Sequence, residues 1–362
     1  MRLFALFFAL VSAASATPIQ EKFVNEVYDL QKLSENVYSF IAPQSDSGVV
    51  QGNCTFIIGE DSVLVFDTGQ FPSLAKRMVA DIQRITPKPV RFIVNSHWHF
   101  DHNWGNAVFH EAYPGVAIIS TKFARELIAS EGPKVLSKQA AVNSQQAADL
   151  RKLIADGKFS DGRPISDESK RSLKRSADTL EHINAELPLT VNTPPNVAFE
   201  KELTLNLGKR EVKVLWLGRA NTAGDAVLWL PDAKLLLAGD TVVYPAPFAF
   251  GSYISEWPAT LHKMIDLQPA TIVPGHGPVM HDTAYMQTIA EIFQELSTQA
   301  RAAVAQKLSF EDIRKKISAD DFAKRLPGGS AEKNPFFSTF LYGAVDRAYQ
   351  EATGKLKPEN ED

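Results

Sequence analysis

His97-Trp98-His99-Phe100-Asp101-His102 packs three imidazoles and a carboxylate into six residues. Nitrogen and oxygen donors in that mixture suit zinc and related divalent metals. The apolar residues 90–94 before the string read as a buried strand. The histidines therefore stand on a loop where a strand ends, which is where open α/β sheets place their chemistry. If that loop is extended, His97, His99 and Asp101 point to one side and His102 to the other. One loop can then serve two adjacent metal positions. A merely His-rich surface loop would need three of the chain's eight histidines to fall together without purpose.

Outward from that string, the chain states one plan twice. In the first copy, apolar residues 55–58 and 63–66 flank a polar turn and end in Asp67-Thr68-Gly69. That pattern reads as a hairpin. Leu74, Met78, Ile82 and Ile85 then recur at helical spacing, and a strand at 92–94 leads to the His97 loop. In the second copy, apolar 226–230 and 235–238 flank a turn and end in Gly239-Asp240-Thr241. A short helix over about 258–267 follows, with Leu261 and Ile265 one turn apart. A strand at 271–273 then leads to Pro274-Gly275-His276-Gly277. Both copies run hairpin, acidic residue, helix, strand, histidine. Two sheets face to face, each covered by helices, would bring both strand ends to one edge and place the site there.

Two segments fall outside the plan. Residues 121–187 are polar and helical, with Leu173, Ala177, Leu180, Ile183 and Leu187 on one stripe that Pro188 ends. This helical insertion is either a lid over the site or a packing extension. From Tyr285 on, Ile289, Ile292, Phe293 and Leu296 begin a helical tail that runs to about Ala352. The polar residues 355–362 are expected to fray. The expected division is thus 1–16, a core domain over 17–284, and a helical C-terminal extension over 285–362.

Residues 1–16 read as a secretory signal: Arg2, an apolar run at 3–11, then Ala14-Ser15-Ala16 before a cut. The run is too short for a stable membrane anchor. Secretion, with a periplasmic address, is the expectation. The formal net charge of −4 gives no argument for nucleic acid or an anionic membrane surface. Cys54 is the only cysteine, so no internal disulfide forms and stability rests on the core. Its apolar surroundings in sequence make it a buried structural thiol.

The string at 97–102 matches an HxHxDH signature and resembles the metallo-β-lactamase superfamily. The resemblance extends to Asp67-Thr68-Gly69 before it, Gly239-Asp240 after it and Pro274-Gly275-His276-Gly277 last, over about residues 37–281. It implies an α+β fold, a four-layer αββα sandwich with a two-metal site at the sheet edge. It further implies that His97 and His99 bind a first metal, that Asp101, His102 and His276 bind a second, and that Asp240 bridges them. Asp67 would orient the ligands by hydrogen bonds. A metal-activated water would be the nucleophile, with Asp101 in proton transfer.

One departure from the resemblance stands out. The family usually places a third histidine of the first metal in a loop reading GHTxGD. Here residues 218–225 read Gly-Arg-Ala-Asn-Thr-Ala-Gly-Asp, with Asn221 at the histidine position. An amide oxygen is a weaker zinc ligand than imidazole. The expectation is one tight zinc and one weak one, with Asn221 a weak or vestigial ligand. His110, His262 and His281 are the substitutes if the alignment shifts. The same departure weakens an iron-dioxygenase reading, no flavin domain is visible, and the composition does not fit nucleic-acid processing.

The function these residues imply is an exported zinc-dependent hydrolase of a small molecule, acting on an ester, thioester, lactone or cyclic amide carbonyl. β-Lactam hydrolysis is a subcase, weakened because dedicated β-lactamases favour cysteine or serine where Asp240 stands. A catalytically weak metal- or ligand-binding protein is the rival from another class, and a coloured copper or iron redox protein is a third. Trp98, Phe100 and Trp104, and Phe248, Phe250, Tyr253 and Trp257, line a pocket or fill the core. Arg219 meets an anionic substrate or Asp225.

Overall fold

The computed structural model describes residues 28–42, 51–158, 162, 164–317, 319–330, 334 and 336–360. The expected signal at 1–16 lies outside the described residues.

The first sheet has seven strands in chain order: β1 (Asp29–Ser34), β2 (Val37–Ile41), β3 (Cys54–Ile58), β4 (Val63–Phe66), β5 (Val90–Val94), β6 (Ala117–Thr121) and β7 (Val197–Phe199). The second runs from β8 (Glu202–Leu207) through β9 (Arg210–Leu215), β10 (Val227–Leu230) and β11 (Leu235–Val243) to β12 (Thr271–His276). The helices are α1 (Pro72–Ile85), α2 (Phe100–Asn103), α3 (Asn106–Ala112), α4 (Lys122–Ser130), α5 (Gly132–Asp156), α6 (Asp167–Glu186), α7 (Trp257–Asp266), α8 (Ala284–Ala305), α9 (Phe310–Lys316), α10 (Ala319–Arg325) and α11 (Phe337–Thr353). None is long and apolar enough to cross a membrane.

The duplicated plan is visible in the pairing. In each half an antiparallel hairpin, β3–β4 or β10–β11, hands over to a parallel neighbour, β5 or β12. A parallel pair needs a crossover, and α1 and α7 supply it. Side chains alternate between layers along each strand. Leu64, Phe66, Leu228, Leu230, Leu235 and Leu237 fill the space between the sheets. Val63 and Val65 face outward onto Leu74, Met78 and Ile82 of α1. Val227, Trp229 and Leu236 face outward onto α7 and α8. Both faces of each sheet are covered, which is why these strands read as unbroken apolar runs. The result is the αββα sandwich, with Cys54 buried and free in the first outer layer.

Three local expectations are revised. Residues 100–103 form a helical turn rather than extended loop. β11 does not stop at Ala238 but runs through Asp240 to Val243, with register breaks on both sides of Gly239. Residues 355–360 are docked rather than frayed. Arg347 is wholly buried, and its guanidinium donates to the carbonyls of Gly251, Ser252 and Lys357. Glu359 accepts from Ala223 N at 2.8 Å.

The insertion helices α5 and α6 pack on each other through Ala147, Ala177 and Leu180. They are tied to the sandwich by Glu186, which is buried and accepts from the backbone N and Oγ of Ser73 in the first turn of α1. A carboxylate there meets unpaired amides at a helix N-terminus.

Candidate metal centre

The ends of β4, β5 and β12 and the interior of β11 build the centre. β4 ends at Asp67, which takes a left-handed φ of 60° and is wholly buried. Its Oδ1 accepts from Ser96 N at 2.7 Å, and its Oδ2 from Ser96 Oγ at 2.7 Å and from His102 Nδ1 at 2.8 Å. Because Ser96 Oγ spends its proton on Asp67, it accepts from His97 Nδ1 at 2.9 Å. His276, at the end of β12, donates from Nδ1 to the carbonyl of Gln51 at 2.8 Å. Each of these three rings therefore carries its proton on Nδ1 and turns Nε2 inward.

Inward, the donors converge. His102 Nε2 lies 3.1 Å from Asp240 Oδ1, 3.4 Å from Asp101 Oδ2 and 3.2 Å from His276 Nε2. His276 Nε2 lies 3.2 Å from Asp101 Oδ2 and 3.3 Å from Asp240 Oδ1. His97 Nε2 lies 3.6 Å from Asp240 Oδ2. Two clusters result, His97/His102/Asp240 and Asp101/His102/His276, each with donors within 4.8 Å of one another. His102 belongs to both.

The donor set fits a divalent cation. Among the described residues, His97 Nε2 and Asp240 Oδ1 are buried without a hydrogen-bond partner. Orphaned buried polar atoms are costly, and a cation would satisfy them. Burial holds the His97 and His99 imidazoles below their usual range, leaving them neutral as ligands must be. Burial opposes ionisation of Asp101 and Asp240, yet the neighbouring imidazoles hold both carboxyls below the usual range. In the same way Asp240 and Asp101 overcome burial at His276 and push it up to about 9. The cluster thus holds positive charge against two carboxylates, a place a metal would fill.

His99 borders this centre without joining either cluster. Its ring meets His97 edge-on at 4.6 Å and Phe248 at 5.7 Å. The assignment of Asn221 as the stand-in for a third zinc histidine is corrected. Asn221 is wholly buried, its amide atoms have no hydrogen-bond partner among the described residues, and it belongs to neither cluster. The physical reason is the sharing of His102. With His102 shared, His97 and Asp240 complete one His/His/Asp set and Asp101 and His276 the other, so the triads use no donor from residues 218–225. His110, His262 and His281 are exposed and outside both clusters. Arg219 meets neither Asp225 nor the centre: it pairs with Glu256 and lies 4.3 Å over the Tyr253 ring. Asp225 instead accepts from Thr222 N and Oγ1.

Sequence reasoning missed the groups that hold the loops in place. Asn53 donates to the carbonyls of Pro274 and Gly277, both at 2.9 Å, and accepts from Ala42 N. A Cβ on Gly275 would fall 2.0 Å from Asp240 Oδ1, and one on Gly52 would fall 2.6 Å from His102 Cε1. Their one visible signal is the triplet Gln51-Gly52-Asn53 abutting a wholly buried strand.

A cavity of about 460 Å³ opens on the centre. Trp98, Phe100 and Phe248 line it, whereas Trp104 and Trp257 are buried in the core. α5 and α6 supply one wall, so the insertion shapes the cavity.

Comparison with known proteins now has a geometry to meet. Residues 47–276 match the metallo-beta-lactamase superfamily. The chain belongs to the metallo-β-lactamase superfamily. Its described residues carry a candidate metal-binding site on that fold. It is 21% identical over 303 residues to the linear primary-alkylsulfatase of Pseudomonas sp. (strain ATCC 19151), covering 80% of this chain and 53% of that protein. It is 24% identical over 111 residues to the metallo-beta-lactamase type 2 of Elizabethkingia meningoseptica, covering 29% of this chain and 44% of that one. The chain spans about half the length of these curated superfamily relatives. Among solved superfamily structures, the metallo-beta-lactamase from Pontibacter korlensis superposes with a TM-score of 0.53 at 17% identity, over 74% of this chain and 99% of that one. DIM-1 metallo-beta-lactamase gives 0.50 at 17% identity, over 73% and 97%. That likeness is one of fold.

Proposed function

We propose that the chain is an exported zinc-dependent hydrolase of a small molecule, opening an ester, thioester, lactone or cyclic amide carbonyl. The observation that carries this reading is the pair of donor clusters sharing His102 at one end of a largely apolar cavity. When bound there, a divalent metal supplies Lewis acidity and a nucleophile at neutral pH. His97, His102, Asp240, Asp101 and His276 hold it. Asp67, through His102 Nδ1, and the Gln51 carbonyl, through His276 Nδ1, aim the imidazoles. Asp101 is partly exposed and lines the cavity, so it is the carboxylate placed to move a proton during hydrolysis. The apolar run at 3–11 and Ala14-Ser15-Ala16 support export to the periplasm.

A second reading, hydrolysis of alkyl sulfate esters, is favoured by the alignment with the alkylsulfatase across 80% of this chain. β-Lactam hydrolysis and metal-dependent binding without turnover are tested alongside it. The experiment is metal analysis of protein purified without added metal, followed by turnover of a 4-nitrophenyl ester, a lactone, a β-lactam and a linear alkyl sulfate. Bound zinc, and ester or lactone turnover lost on chelation and restored by zinc, is the expected result. Turnover of the alkyl sulfate alone selects the second reading. Metal-dependent ligand binding without turnover selects the binding protein. Turnover that survives both chelation and D240A overturns the metal mechanism.

A further inference from the structure

The cavity divides into two chemistries. Its reactive end holds His99, Asp101, Asp240 and His276. Among the described residues, no lysine or arginine lines it. α5 contributes Val135, Gln139, Asn143 and Gln146, at helical spacing, to its wall, and α6 adds Leu180 and Ile183. Asn143 is the anomaly in that wall. It is only 2% exposed, and its Oδ1 accepts from Gln139 Nε2 at 2.8 Å. Its Nδ2 is buried and has no partner among the described residues. A buried donor left unpaired costs free energy, and native proteins rarely leave one without reason.

We propose that Asn143 is a specificity-determining residue whose Nδ2 donates to the substrate. The substrate is then an uncharged molecule with an apolar body and a neutral oxygen acceptor, a carbonyl or an ether, remote from the scissile bond. The inference rests on the hydrolase reading and deepens it. A free carboxylate or sulfate against this wall would be desolvated with no cationic side chain among the described lining residues to meet it. A neutral oxygen there meets a waiting donor, and the aliphatic remainder fills the Val135, Leu180 and Ile183 surface. A site built to hydrogen-bond a substrate oxygen rejects the analogue that lacks it, because its own buried group is left unpaired.

The test uses the full chain loaded with zinc and matched 4-nitrophenyl alkanoates. In one set, an ether oxygen or an amide replaces one methylene at successive positions along the chain. In the other, the chain is plain alkyl. The wild type is expected to prefer one acceptor-bearing ester. N143L and N143A are expected to lose about tenfold in kcat/KM on that ester. The loss should appear in KM, with kcat kept and the plain ester unaffected. A variant that folds poorly would lose both substrates together, so the ratio between the pair carries the result. Equal loss on both esters, or an unchanged ratio, overturns the proposal. If the wild type turns over neither set, the hydrolase reading fails. Calorimetric binding of the same intact esters then decides the role of Asn143. An acceptor preference abolished in N143L sustains that role, and no preference overturns it.

Discussion

Asp67 touches no substrate, yet it fixes the geometry of two residues at once. Its carboxylate holds Ser96 and His102, and through Ser96 it sets the tautomer of His97. D67A is expected to lower zinc affinity about 10- to 100-fold, the usual cost of removing such an orienting partner, as read by competition with a chromogenic chelator. Gly275 makes a sterically different demand. A methyl there would lie 2.0 Å from Asp240 Oδ1. G275A is expected to drop zinc content while circular dichroism stays native, because the strand can shift by less than the ligand geometry tolerates. The ligand-type side chains themselves were legible in the sequence, since their spacing is local and their chemistry unusual. Of the tautomer-setting groups, Asp67 was given an orienting role by the resemblance, whereas Ser96 and the Gln51 carbonyl were not, because a serine and a backbone carbonyl look ordinary until the chain brings them together. Asn221 shows the converse error: a position matched to a motif was given a task that His102 already performs.

At the scale of elements, the first hairpin and the helices α1 and α7 follow from apolar runs and helical spacing within a residue or two, whereas β11 runs five residues past its expected end. Edge strands were harder. β8 alternates exposed and half-buried residues along Glu202–Leu207, so its apolar content is thin and it does not announce itself. The insertion was legible as helix but not as a cavity wall, since that role depends on where α5 and α6 come to rest. Their anchorage makes a prediction. Burial opposes ionisation of Glu186, but His182 and Ser73 hold its carboxyl below the usual range. A depressed folded value means the contribution is fully present above the ordinary glutamate range and lost as pH falls through the folded value. E186Q is therefore expected to flatten the acid limb of the thermal stability profile. It should cost about 1–3 kcal/mol at neutral pH, measured by denaturant melts.

The whole molecule shows how far its C-terminal segment reaches. α8 and α11 share one core with the second sheet, and the terminal residues close over residues 218–225. None of this is visible locally, for the contacts join residues 95 or 136 positions apart. Burial raises Glu359 to about 7, so the folded chain binds its proton more tightly than the unfolded one does. Stability is expected to decline as pH rises from the ordinary carboxylate range to about 7 and then to level off. E359Q should remove that slope in melting scans. Chelation should likewise lower the melting temperature, since stripping the centre returns His97 Nε2 and Asp240 Oδ1 to an unpaired state. The division of the donors between halves also fixes an order in time. His97, Asp101 and His102 leave the ribosome more than a hundred residues before Asp240, and His276 follows later still. A growing chain therefore carries a chelating loop with no cage around it. The cage closes only when the two halves meet.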